Sequence, residues 1–327
     1  MPASGPFDRR LLIVSGKGGT GKTTVAAACA VAAARGGRRV LLVEVEGRGG
    51  AFELLRLPNP GFEERRTKLG FSVLAVTARE ALLEYLWLFF HMGALSRTLA
   101  RAQVVETVTD GVPGFRDLMV AGKMYELTSW RRSSREAEAR RRVHYDLVVV
   151  DAPPTGQVLG MLRAPDTYRG IIRGGRPSRQ LVAIDRLFRQ ESAIALVTTP
   201  EDLPVDETIE TIEALGGAGF PDPWIVANRV RPPAFPRGTK AAGMRLDPDG
   251  LAALLRDAGA PLPDDGTGRL LAAAREEETS VEAERRLLRR LPRRPDVQLP
   301  LLATPSFGRP EVEVLAGELA GRLGTAS

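Results

Sequence analysis

Short apolar runs recur along the chain, and each is followed by a turn and then by a helical stretch. Continuous apolar runs predict strands that are buried on both faces, as in parallel sheets covered by helices. Strands that alternate with helices predict an α/β fold with a mostly parallel sheet flanked by helices. The predicted strands are 11–14, 39–43, 71–77, 145–151, 192–198, 223–229 and 296–302.

The long segment between the third and fourth predicted strands has a helical pattern. We treat 78–143 as a helical insertion within a single domain that covers 1–327. Its stretch 82–92 is apolar nearly all round, which indicates burial in its own core, in a dimer contact or in a partner groove, with the core favoured. We expect His91 to fill a core or edge position and not a ligand site. The sequence leaves the role of 82–95 open.

Two later segments lack a clear period. The segment 166–190 is rich in arginine and glycine, so we expect a loop with a short helix there. The segment 231–250 is rich in proline and glycine, and we expect a loop.

The motif with the clearest chemistry lies between the first predicted strand and the first helix. It reads Gly16-Lys17-Gly18-Gly19-Thr20-Gly21-Lys22-Thr23-Thr24 and satisfies the Walker A pattern. Glycines let backbone N–H groups turn toward phosphate oxygens at the positive end of the new helix. We expect Lys22 to reach the β and γ phosphates of ATP and Thr23 to offer its hydroxyl to Mg²⁺.

Acidic residues end two of the predicted strands. Asp151 follows an apolar run and is followed by Ala-Pro-Pro-Thr-Gly, which is typical of a Walker B strand whose acid approaches Mg²⁺ through water. Glu44 and Glu46 end the second strand, where an open α/β sheet presents ligand groups. Being two apart, they point to the same face if the strand continues. Either could position water or hold a magnesium-bound water.

Two further residues lie at the expected carboxyl edge. Asn228 ends a predicted strand, where its amide could read the adenine edge or simply form a turn. Pro305 follows the last strand on the same side of the sheet.

Composition limits the remaining functions. The single cysteine, Cys29, excludes an internal disulfide and a CxxC metal site. The chain shows no secretory signal and no run long enough to cross a bilayer, so we expect a cytoplasmic protein. The net charge is +6, but the arginines are interspersed with glutamates. The basic cluster at 131–142 is most simply a solvated helix face, so nucleic acid is an unlikely partner.

Together, these motifs resemble the arsenite-pump and tail-anchored-protein targeting ATPase family, in its bacterial, actinobacterial-type, anion-transporting ATPase-like branch. The resemblance rests on the Walker A run, Asp-Ala-Pro-Pro-Thr-Gly at 151–156, the helical insertion, Pro200-Glu201 with Glu207-Thr208, and Asn228. It implies a P-loop ATPase dimer in which Lys17 acts on the partner's nucleotide. It also implies that Asp151 belongs to switch II and that Asn228 and Pro305 flank adenine.

The departures from the family pattern are equally informative. The family's switch I has an Asp that positions the attacking water, whereas the corresponding position here is Glu46, followed by Gly-Arg-Gly. The family's Thr-Gly-His in switch II is Thr-Gly-Gln at 155–157. The cysteines that bind arsenite and the zinc clamp are absent. We therefore expect slow hydrolysis, or hydrolysis that needs a partner subunit.

The sequence leaves three functional hypotheses. The first is an ATP-hydrolysing homodimer, or heterodimer with a paralogue, that acts on a membrane-protein or envelope-related client. The second is a partition or division-site ATPase, which shares the Lys17 form of the loop. The third is a pseudo-ATPase that supports an active paralogue. The long apolar insertion favours the first over the second.

Overall fold

The structure is a computed structural model that describes residues 5–47, 49–90, 112–129, 145–235, 238–260, 262–263 and 265–322. Within those ranges the chain forms eight strands. They are β1 (Leu11–Gly16), β2 (Val40–Val45), β3 (Arg65–Arg66), β4 (Ser72–Val76), β5 (Leu147–Asp151), β6 (Ser192–Thr198), β7 (Trp224–Val230) and β8 (Val297–Pro300).

These strands make a single sheet in the order β3-β4-β2-β5-β1-β6-β7-β8. Every neighbouring pair is parallel except β3 and β4, which are antiparallel. The sheet is therefore mostly parallel, and helices cover it, which confirms the predicted α/β class. Because the central strands run the same way, the loops that follow β1, β2, β5 and β6 meet at one edge.

Eleven helices are present in the described ranges. They are α1 (Lys22–Arg35), α2 (Gly50–Leu54), α3 (Ala78–Phe90), α4 (Phe115–Ser129), α5 (Thr155–Arg169), α6 (Gly175–Arg186), α7 (Asp202–Gly217), α8 (Lys240–Arg245), α9 (Pro248–Asp257), α10 (Gly266–Leu288) and α11 (Arg309–Arg322).

The core lies on both faces of the sheet, as the alternation along β1 shows. Leu12 and Val14 pack on one face with α1, α2 and α11, whereas Leu11 and Ile13 pack on the other with α4, α5 and α6. The stretch 25–33 of α1 is buried at every position. A helix that is apolar all round must be enclosed, and small alanine side chains let α1 pack closely against the sheet and α11. The helix that begins at the glycine loop is thereby held firmly in place.

The described part of the predicted insertion consists of α3 and α4, which lie between β4 and β5 in the chain. Met124 of α4 is fully buried in the core of the sheet, and Leu82 of α3 is buried as well. The ammonium of Lys123 is buried between Glu84 and Glu126 and lies 4.8 Å from the centre of the Phe62 ring. No helix in the described ranges is long and apolar enough to cross a membrane. His91, the stretch 91–95 and the basic cluster at 131–142 lie outside the described residues.

Two predicted loops are wrong in extent, since 166–190 contains more helix than the short one expected and 231–250 is not a loop throughout. The segment 166–190 is mainly helical, since α5 continues to Arg169 and α6 buries Leu181 and Ile184 against the insertion side of the sheet. The segment 231–250 contains the short helix α8 and the start of α9. In the first segment, burial of Leu181 and Ile184 outweighed a composition rich in glycine and arginine. In the second, α8 and α9 bury no residue, and α9 begins at a local cap in which the Asp247 carboxylate accepts from the Gly250 N–H.

Candidate active site

The glycine loop joins β1 to α1 in a geometry that its residues dictate. A Cβ at Gly16 would lie 2.1 Å from the Val197 carbonyl oxygen on β6, so the loop leaves the sheet where only glycine fits. Gly21 has φ +90°, and a Cβ there would lie 2.4 Å from Nδ2 of Asn228. A Cβ on Gly18 or Gly19, in contrast, would meet nothing within 4 Å. The loop is therefore tight against the protein behind it and open in front, as a phosphate cradle requires.

Two side chains form hydrogen bonds within the glycine loop. The Thr20 hydroxyl donates to the Lys17 carbonyl oxygen at 2.8 Å, and Nζ of Lys22 donates to the same oxygen at 3.2 Å. Burial lowers the pKa of Lys22, while the carboxylates of Asp151 and Glu207 act in the opposite direction. A cation that is partly desolvated over an open loop binds an incoming phosphate more strongly than a fully hydrated one.

The residues expected to hold magnesium lie together. The Thr23 side chain is hydrogen-bonded to Asp151, which is only 7% exposed. Burial, and to a smaller extent the neighbouring charge of Glu44, raises the pKa of Asp151 to about 6, although the Thr23 hydrogen bond and the charge of Lys22 act in the opposite direction. A divalent cation would stabilise the charged form of Asp151, which is disfavoured by burial and by the nearby charge of Glu44. Hydroxyl and carboxylate oxygens suit Mg²⁺, so the residues fit the ion that the motifs imply.

Glu44 shapes the loop that follows β2. Its buried carboxylate accepts hydrogen bonds from the backbone N–H groups of Gly49 at 2.7 Å, Gly50 at 3.2 Å and Ala51 at 3.1 Å. A Cβ at Gly47 would lie 1.8 Å from Oε1 of Glu44. Glu44 therefore holds this loop and the first turn of α2 next to the Thr23 side chain, which lies 3.7 Å from the Cβ position of Gly50.

Glu46 points elsewhere, so the expectation that both glutamates share a face is wrong. The backbone of Glu46 has φ +51°, which ends β2 before this residue. Its carboxylate accepts from the Ala78 N–H at 2.7 Å, at the start of α3, and from Arg116 of α4 at 3.3 Å. In this conformation Glu46 connects the loop after β2 to the two described helices of the insertion. Its predicted role in orienting water stays a prediction.

Lys17 has a partner that the sequence did not suggest. Its Nζ lies 2.8 Å from Oε2 of Glu207 on α7, and the Thr155 hydroxyl donates to the other carboxylate oxygen. Burial alone would raise the pKa of Glu207, but the bonds from Lys17 and Thr155 and the charges of Lys17 and Lys22 hold it below its usual range. The available signal was topological: α7 follows β6, the neighbour of β1, so its first turns lie beside the glycine loop.

Asn228 is positioned on the glycine loop itself. Its amide Nδ2 donates to the Thr20 carbonyl oxygen at 2.8 Å, and the residue is only 4% exposed. At least one donor of the amide therefore braces the loop. Pro305 lies in the exposed turn after β8, beside Thr304, whose hydroxyl donates to the Ser306 carbonyl oxygen. The adenine contacts expected of Asn228 and Pro305 stay predictions.

A family model described as "Anion-transporting ATPase" matches residues 9–188, which include the glycine loop, Glu44, Glu46 and Asp151. The chain belongs to this family. Comparison with known proteins also finds the ATPase BagA of Mycobacterium tuberculosis, 36% identical over 305 residues that cover 91% of this chain and 87% of that protein. The arsenical pump-driving ATPase of Acidiphilium multivorum is 22% identical over 246 residues, which cover 68% of this chain and 40% of that protein.

Membership of the anion-transporting ATPase family gives the chemistry of the site. The reaction is hydrolysis of ATP, and the open glycine loop with Lys22, Thr23 and Asp151 is the part of the structure whose donors and charges suit a nucleotide phosphate and a metal ion. Transfer of a phosphoryl group depends chiefly on positioning and on neutralising charge. Lys17 and Lys22 supply positive charge and Asp151 supplies a carboxylate, so these residues are suited to neutralising charge at a phosphoryl group.

For this family member we predict that Lys22→Ala abolishes detectable binding of Mg·ATP. The variant removes the charge that faces the β and γ phosphates, and a charge-assisted contact of this kind has no substitute in the loop. Isothermal titration calorimetry measures the affinity, with Lys68→Ala, on the surface away from the motif, as the matched control. Unchanged affinity in Lys22→Ala would refute the phosphate role of the loop.

Proposed function

We propose that this chain is a magnesium-dependent ATPase switch that pairs with a second subunit, either a copy of itself or a paralogue. The observation that carries the proposal is Lys17, a partly exposed lysine at the rim of the phosphate loop that is joined through Glu207 to Thr155 in the loop after β5. A loop lysine in this position has no phosphate of its own to bind, because Lys22 already serves that loop. The family resemblance implies that such a lysine acts on the nucleotide of a facing subunit, and the partial exposure of Lys17 and of its partner Glu207 is compatible with that role.

In the proposed mechanism, different residues bind the phosphates and the magnesium ion. Backbone N–H groups of the glycine loop and Lys22 would hold the phosphates, and Thr23 and Asp151 would hold the magnesium ion directly or through water. The bound ion would neutralise charge that develops between the β and γ phosphates. Asp151, at the end of β5, and Thr155, at the start of α5, lie in one short loop. The presence of the γ phosphate can therefore be transmitted to α5.

Glu46 is the proposed group that orients the attacking water. To do so it must exchange its bonds with the Ala78 N–H and Arg116 for one with water, and the glycines around position 48 allow that movement. A group that has to rearrange is poorly pre-organised, and imperfect positioning lowers the rate steeply. This supports slow turnover that depends on a partner or client acting on the insertion.

We predict that Glu46→Gln slows hydrolysis in a single turnover by about 100-fold, since an amide cannot accept a proton from water. Its affinity for Mg·ATP should stay near that of the wild type. Glu44→Gln is the matched variant, and we expect it to act mainly through thermal stability, because its carboxylate is buried on three backbone N–H groups. Equal rates in Glu46→Gln and the wild type would contradict the assignment, and a wild type without turnover beside its partner subunits would contradict hydrolysis itself.

We further propose that the client is a membrane protein or an envelope-related protein. The support is the apolar character of the stretch 82–92 along the sequence, which suits burial against a partner. A client that docks on the insertion would also act on Glu46 through α3 and α4.

The client proposal predicts nucleotide-dependent capture of a membrane or envelope protein. Tagged Glu46→Gln protein, which retains ATP, is isolated from its own cells in mild detergent, and the proteins that accompany it are identified by mass spectrometry. Lys22→Ala is the control that cannot bind ATP. Recovery of only soluble proteins, or equal recovery with both variants, would contradict the proposal.

A further inference from the structure

One carboxylate joins the two loops that must respond to nucleotide. Oε2 of Glu207 lies 2.8 Å from Nζ of Lys17 in the glycine loop, and its other oxygen accepts from the Thr155 hydroxyl after β5. Thr155 is 2% exposed, whereas the side chains of Lys17 and Glu207 are 34% and 29% exposed. The contact therefore lies where the glycine loop opens to solvent, and it is accessible to an incoming ligand or subunit.

The strength of this ion pair argues against a purely structural role. Partly exposed pairs contribute little to stability, because water screens them and because two side chains lose freedom. The fold does not depend on such a contact, since the sheet and α1 already fix β1, and α7 is fixed by its buried Val205 and Leu215. A weak pair between two loops can, however, be exchanged at low cost.

The charges around the glycine loop explain why Lys17 would exchange Glu207 for another partner. Glu207 also acts electrostatically on Lys22, so one carboxylate serves as counter-charge to both lysines of the loop. Mg·ATP brings further negative charge to the same place. Like charges disfavour each other there, and Glu207 therefore opposes nucleotide binding while Lys17 remains bonded to it.

We propose that Glu207 is a positioning residue that holds Lys17 and Thr155 in the nucleotide-free protein and releases both when ATP-loaded subunits pair. In the free protein, the pair keeps Lys17 turned toward its own α7. On pairing, the phosphates of the facing subunit replace Glu207 as the partner of Lys17, and Thr155 becomes free to follow the γ phosphate. We call the contacts of Glu207 with Lys17 and Thr155 the hold. The inference rests on the proposed function only for the destination of Lys17, because the hold itself exists within one chain.

The variant Glu207→Gln tests the hold directly, because it removes the charge and nearly preserves the shape. At concentrations where the protein is monomeric and free of nucleotide, we expect hydrogen exchange in peptides covering 15–21 and 152–158 to be about threefold faster or more. Calorimetry should show Mg·ATP binding about three- to tenfold tighter, since the opposing charge is gone. Glu207→Ala should change both quantities in the same direction.

Glu210→Gln is the matched control, because Glu210 is an exposed carboxylate one turn further along α7. It makes the same change in net charge, and we expect wild-type exchange and affinity. The double variant Lys17→Ala/Glu207→Gln completes the cycle. In it, exchange of 15–21 should match that of Lys17→Ala alone, since Glu207 then has no lysine to hold.

The hold and the proposed pairing of subunits can be refuted independently of each other. Wild-type exchange and affinity in Glu207→Gln would overturn the hold, even if Lys17→Ala abolishes nucleotide-dependent association measured by sedimentation velocity. Faster exchange in Glu207→Gln, with unchanged association in Lys17→Ala, would keep the hold and refute the action of Lys17 on a second subunit. Lower turnover in Glu207→Gln with unchanged exchange and affinity would show that Glu207 acts in the loaded state, and this also overturns the hold.

Discussion

Lys17 and Lys22 leave the same short loop, and the carboxylates of Asp151 and Glu207 both act on the Lys22 ammonium. These charges are brought together because β1, β5 and β6 are parallel neighbours whose carboxyl ends meet at one edge. Without nucleotide, the carboxylates are the counter-charges of the lysines. With nucleotide, phosphates would take over that role at Lys22 and a magnesium ion would become a partner of Asp151, so we expect binding to rearrange the contacts of both residues.

Each carboxylate at this edge forms a hydrogen bond to a different segment of the chain. Asp151 is bonded to Thr23, Glu44 to the loop before α2, Glu46 to the start of α3, and Glu207 to Thr155. The contacts of Glu207 link the glycine loop to the start of α5, and Glu46 links the loop after β2 to the insertion. Such coupling requires elements with two arrangements, and the weak pairs at Lys17 and Glu46 are suited to provide them.

The sequence predicted the sheet, the glycine loop and the Thr23–Asp151 pair, because each follows from local patterns and from parallel topology. It did not predict where Glu46 points, since that depends on a left-handed backbone at one residue. Nor did it pair Lys17 with Glu207, which is 190 residues away in the chain. A short helix was expected in 166–190, but the arginines and glycines hid the buried Leu181 and Ile184, so the bounds of α6 and its place in the core were not predicted. Contacts of this kind depend on packing between distant segments, which no local period encodes.

The central claim is that Lys17 exchanges Glu207 for phosphate when loaded subunits pair. The chain has only five lysines, so selective ¹³Cε labelling gives few side-chain signals, and lysine-to-arginine variants can assign them. A ¹H–¹³C correlation spectrum is recorded for the nucleotide-free protein, together with any partner subunit that co-purifies, and again with MgADP and aluminium fluoride. The account predicts that the Lys17 and Lys22 signals both shift while those of Lys68 and Lys240 stay in place. A shift at Lys22 with the Lys17 signal unmoved would contradict it.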